Sequence, residues 1–141
     1  MRDFPVEKLK LLPGRLFADS MGFDIEIPLS PFTLDGEIVE TAIYLDGVEL
    51  PTSDLTMLAG QSFHFPVNPK QGYIDGSMYV LHAHQPIDVT SIRFGALADG
   101  AIEAEFEMLC GFEFEGLNDY KNTLLILSTR LSVISRRRPG E

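Results

Sequence analysis

Residues 102–116 read Ile-Glu-Ala-Glu-Phe-Glu-Met-Leu-Cys-Gly-Phe-Glu-Phe-Glu-Gly, and this stretch decides the fold class. Ile102, Ala104, Phe106, Met108, Cys110, Phe112 and Phe114 recur at every second position. Glu103, Glu105, Glu107, Glu113 and Glu115 fill the positions between, with Leu109 and Gly111 separating the two acidic groups. Successive side chains of an extended chain point to opposite faces, so a strand sorts these residues into an apolar and an acidic face, whereas a helix scatters them. The pattern predicts one long strand, with Gly111 marking a bulge or bend.

The same alternation extends outward in both directions. In FDIEIPL (23–29) Phe23, Ile25, Ile27 and Leu29 share a face, and Pro28 places the end of the strand or a sheet edge there. IYLDGVEL (43–50) predicts a hairpin turning at Asp46-Gly47, since Asp-Gly suits the positive backbone angles of a tight turn. Asp35-Gly36 is read as a loop and Asp99-Gly100 as a turn. Thr52, Ser53 and Asp54 are set to cap one helical turn, LTMLA, ended by Gly60. SFHFPV (62–67) alternates again. YIDGSMYVLHAHQP (73–86) and IDVTSIRF (87–94) predict two strands separated at Pro86, the first central in a sheet. TLLILSTRLSVI (123–134) is the last strand. Leu124 and Ile126 on its alternate face predict cover on both sides at that end. Turns every ten residues or so and almost no helix imply an all-β, single-domain antiparallel sandwich or barrel of about eight strands. The domain spans residues 1–141, with a loose basic tail at 135–141.

The 141 residues are long enough for one hydrophobic core. No apolar run approaches the ~20 residues of a membrane-spanning helix, and the N-terminus has no signal-peptide core. The single cysteine, Cys110, excludes an internal disulfide and is read as a buried apolar residue. These features predict a cytoplasmic protein. The net charge of −10 is unevenly spread. Residues 1–15 and 136–141 together carry seven basic groups against three acidic, a net of +4, while residues 16–135 carry eighteen acids against four bases, a net of −14. Such a body repels nucleic-acid phosphates and anionic membranes and attracts a basic partner. Arg136, Arg137 and Arg138 stand without the interleaved aromatics of a nucleic-acid surface.

No nucleophile elbow, Walker loop or dinucleotide-binding glycine motif is present. Alternating glutamates on an open strand face lack the desolvated cleft that raises a catalytic carboxyl's pKa. The leading reading is therefore a non-enzymatic acidic protein-interaction domain without a cofactor. Its partner-binding residues are Glu103, Glu105, Glu107, Glu113 and Glu115, and it engages a basic protein. It is similar in type to bacterial immunity proteins and inhibitors, and the edge strands of an open sandwich offer a route to a homo-oligomer.

An alternative rests on the histidines. Gly76, five residues, His82-x-His84, three residues, Asp88, six residues and Gly95 resemble the first motif of the cupin family, with Asp88 in place of its glutamate. The resemblance covers about twenty residues, and no histidine follows His84. It implies a small β-barrel holding a transition metal or small ligand through His82, His84 and Asp88, with His64 as a further candidate.

Overall fold

A computed structural model of the chain describes residues 1–19, 22–114 and 119–135. The all-β expectation holds, and the choice between sandwich and barrel falls to a barrel. Ten strands occur among the described residues: β1 (Gly14–Asp19), β2 (Gly22–Pro28), β3 (Phe32–Leu34), β4 (Glu37–Val39), β5 (Ala42–Val48), β6 (Ser62–His64), β7 (Asp75–Val80), β8 (Ala83–Ala98), β9 (Ala101–Cys110) and β10 (Thr123–Ser135). One helical turn, α1 (Leu55–Leu58), lies between β5 and β6, with the Asp54 side chain accepting from the Thr56 N–H as its cap.

Seven strands close on themselves in the order β8-β7-β5-β2-β1-β10-β9, and β9 returns to β8. Every seam is antiparallel except one: β1 runs parallel to β10, with Gly14 opposite Leu131 and Phe17 opposite Ile134. The expectation of a purely antiparallel sheet is corrected at that seam. β6 adds to the edge of β8, and β3 with β4 forms a separate hairpin. Among the described residues, closure pairs the long strands on both sides and leaves free edges on these three-residue strands.

The alternating patterns point their apolar faces inward. Ile102, Ala104, Phe106, Met108 and Cys110 of β9 are buried, as are Ile87, Val89, Ile92 and Phe94 of β8 and Leu125 and Leu131 of β10. Along β8, Ile87, Val89, Ile92 and Phe94 face inward beside the buried Gln85, and the ladder with β9 shifts register twice, between Val89 and Ser91 and between Phe94 and Leu97. Such bulges bend and twist a strand, which a barrel wall requires. At Gly76 a side chain cannot fit: a Cβ there would stand 2.5 Å from the Ile87 carbonyl oxygen.

Several local expectations are revised. Asp46-Gly47 does not turn a hairpin; β5 runs through it, Gly47 takes a φ of 73°, and the ladder with β2 shifts register there, so the pair forms a bulge. Asp35-Gly36 and Asp99-Gly100, with φ positive at both residues, turn the β3–β4 and β8–β9 hairpins. MYVLHA is two strands, because Leu81 and His82, both with positive φ, turn β7 into β8. Pro86 lies inside β8 rather than breaking it. In an extended residue the N–H and C=O point the same way. The Pro86 carbonyl accepts from the Gly111 N–H (2.8 Å) just past the end of β9, so the bond forgone by the missing N–H is the reciprocal one to Gly111 at the ladder's end and not one in its interior.

The N-terminal segment is pinned across the barrel. Phe4 stacks on Phe112 with ring centroids 4.3 Å apart and meets Tyr120 edge-on at 5.5 Å. The Arg2 guanidinium pairs with Asp35 (2.8 Å) and with Asp119 and lies over the Tyr120 ring.

Candidate functional site

The outer face of β8, β9 and β10 carries the acidic residues that the alternation predicts. Glu103 and Glu107 are exposed and Glu105 is half-buried. Register then decides their neighbours, and here the structure adds what local pattern does not show. On one side, Glu105 stands opposite Arg93 of β8, with a 3.9 Å ion pair. On the other, Glu103 stands opposite Arg130 of β10. Arg130 donates to the Ala98 carbonyl oxygen (2.9 Å), and no ion pair joins it to Glu103 among the described residues. Two of the four basic residues of the 16–135 body thus flank the ladder. Three glutamates and two arginines share this face, a mixed surface rather than a purely acidic one. Like charges directly opposite one another across strands destabilise a sheet, and this register avoids that.

A shallow groove of about 400 Å3 runs between these side chains, lined by Arg93, Gly95, Glu103, Glu105, Ser128 and Arg130. Gly95 keeps it open, since a Cβ there would come within 3.0 Å of Glu103 Oε2.

Further along β9 and β10 three apolar side chains stand on this face, with Glu107 and Asp88 beside them. Leu109 stands opposite Leu124, and Ile126 stands opposite Glu107. These three side chains are 41, 54 and 54% exposed. The expected cover over Leu124 and Ile126 does not exist among the described residues, because they point away from the closed barrel. The doubly apolar run TLLIL carries the signal, but an outer face is dry only where a further layer packs on it.

The remaining acids of the predicted set stand apart. Glu113 does not extend the ladder, because β9 ends at Cys110 and residues Phe112–Phe114 form a 3-10 turn. Its carboxylate accepts from the Asn122 N–H (3.0 Å) and its own N–H donates to Asn122 Oδ1 (2.9 Å), which ties that loop to the start of β10. Glu115 lies outside the described residues, as do Arg136, Arg137 and Arg138.

The histidine set is not brought together. His82 sits in the turn between β7 and β8, exposed, in a groove with Glu37, Glu40 and Tyr79. His84 is on β8 opposite Tyr79, its ring edge-on at 5.4 Å. The two therefore do not share a strand face as the His-x-His spacing implies: the turn intervenes. His64 is on β6 opposite Ser91, and Asp88 stands opposite Leu109. No group of three or more His, Cys, Asp or Glu placed to hold a metal ion occurs among the described residues. Cys110 is fully buried, and desolvation pushes its thiol up to about 12, so it is not a poised nucleophile.

No known family pattern, curated protein or solved structure matches the chain. No helix among the described residues is long and apolar enough to cross a membrane.

Proposed function

We propose that this chain is a non-enzymatic, acidic protein-interaction domain of a cytoplasmic protein, docking through the outer face of β8, β9 and β10. The observation that carries the reading is the exposed trio Leu109, Leu124 and Ile126 on the same outer face as Glu103, Glu105 and Glu107, with Ile126 opposite Glu107. Exposed apolar side chains beside a row of charged ones match the mixed composition of protein interfaces. The glutamates supply steering and specificity, and the −14 body strengthens attraction for a basic partner at long range. The partner therefore presents apolar side chains and guanidinium or ammonium groups together, as the target of an immunity-type or inhibitor-type protein would.

The test is affinity capture from lysate of the source cells with the wild-type chain and two variants. One variant carries Ile126→Asp, the other Glu103→Lys, Glu105→Lys and Glu107→Lys together. A protein retained by wild type, released by rising salt and lost from both variants supports the reading. A partner retained equally by all three, or the absence of any specific partner, sinks it.

A further inference from the structure

The seam between β9 and β10 has a property that narrows the partner. Reading along it, the outward-facing register pairs are Leu109 with Leu124, Glu107 with Ile126, Glu105 with Ser128 and Glu103 with Arg130. Consider a two-fold axis lying over this seam, parallel to the strands and midway between two facing barrels. It sets β9 of one copy over β10 of the other at the same level. Each residue then faces its own register partner in the second copy.

The resulting contacts are complementary in kind. Leu109 meets Leu124 twice at one end, and Glu103 meets Arg130 twice at the other. Between them Ile126 covers the aliphatic stem of Glu107, and Ser128 faces Glu105. No acid faces an acid and no base faces a base. Shifting the axis onto β9 would instead set glutamate over glutamate, a like-charge contact that opposes association. The outer wall of a barrel is convex, so two copies meet along one seam only, and this is the seam on which the exposed apolar trio lies. The Arg130 guanidinium donates to the Ala98 carbonyl oxygen through Nη2 (2.9 Å), and no ion pair ties it to Glu103 within the chain among the described residues, so its other N–H groups can serve the contact.

We infer that the chain forms a weak, two-fold symmetric homodimer across the β9–β10 seam, in which the apolar trio and two Glu103–Arg130 pairs work against the mutual repulsion of two chains of net charge −10. The inference rests on the docking-face reading and names its occupant. A patch with three apolar side chains at one end is small against the ~800 Å2 per partner of a standard interface, so association is expected only at high protein concentration. Each subunit presents the same patch, as an isologous interface requires.

Sedimentation velocity of the full chain over a concentration series tests this, with a charge-swap cycle. Glu103→Arg alone and Arg130→Glu alone each place two like-charge pairs across the axis and are expected to weaken dimerisation at least about tenfold. The two together restore opposite charges and recover most of the wild-type dimer. Ile126→Asp abolishes it. Thermal melts of each variant verify that the monomer stays folded. If both single swaps dimerise as wild type, or the double swap fails to recover, the seam geometry is wrong. A chain that is monomeric at every concentration, yet still captures a different protein through Ile126 and the glutamates, overturns the homodimer and leaves the docking face standing. Loss of both results removes the face itself.

Discussion

Leu109 of β9 and Leu124 of β10 stand directly opposite one another on the side of the barrel that faces water. The neighbouring Leu125 points the other way and is fully buried. One step along a strand thus separates surface from core, and mutation should show it. Leu125→Ala leaves a cavity inside a closed barrel and is expected to cost about 2–5 kcal/mol. Leu124→Ser should change stability by no more than about 0.5 kcal/mol. Urea titration of both variants at low protein concentration checks the contrast. A Leu124→Ser variant as unstable as Leu125→Ala would mean that Leu124 packs against something within the chain.

His82 and His84 offer a second contrast of the same kind. His82 has a φ of 66° at the tip of the β7–β8 hairpin and is exposed. The left-handed conformation costs an L-residue roughly 1–2 kcal/mol, which glycine avoids, though glycine also gains entropy when unfolded. His82→Gly is therefore expected to stabilise the chain by about 0.5–1 kcal/mol. His84→Gly removes the ring that meets Tyr79 and loosens a strand interior, at a cost of about 1 kcal/mol. Opposite signs in thermal unfolding are the expected result, and equal signs would contradict the turn assignment.

Asp35 ties the β3–β4 turn to the N-terminus. Hydrogen bonds from Arg2, and secondarily from Tyr120, hold its carboxyl below the ordinary carboxylate value despite some opposing desolvation. A carboxyl depressed in the folded state stabilises it above the unfolded pKa, about 3.9, and loses that contribution as pH falls through the lower folded value. Wild type should melt above Asp35→Asn at pH 7. The gap should narrow steadily as the buffer is taken below about pH 4. A gap independent of pH would show that Asp35 acts by packing alone.

Cys110 is the only thiol in the chain and faces the barrel interior. With the thiol pushed up to about 12 and no access to solvent, it should resist a thiol-reactive dye in native buffer. In denaturant it should react quantitatively, one equivalent per chain. Rapid labelling of the native protein would place the thiol at an opening that the barrel does not show.

Elements with strong alternation are legible in the amino-acid sequence alone. Ala101 to Cys110 sorts itself into two faces, and Asp54 and Gly60 bracket their helical turn as expected. β1 is not legible, since only Leu16 of its assigned side chains is fully buried, and neither is its parallel pairing with β10. Of the candidate site, Glu103, Glu105 and Glu107 are readable as one face. Their relation to Arg93 and Arg130 is not, because it depends on the register of three strands and on where β8 bulges.

The four Asp-Gly pairs show where the boundary lies. Asp35-Gly36 and Asp99-Gly100 turn hairpins, Asp46-Gly47 makes a bulge in β5, and Asp75-Gly76 lies in β7, where Gly76 admits the Ile87 backbone. Alternation and the Asp-Gly spacing mark the chain as β, sort its side chains by face and offer glycine's conformational freedom at these four places. How that freedom is used, and that Leu109, Leu124 and Ile126 end outside the barrel beside a mixed row of charge, follows from the assembled barrel. The difference is one of range. Alternation and turn propensity act between residues a few positions apart, whereas register, closure and cover are set by strands that meet from distant parts of the chain.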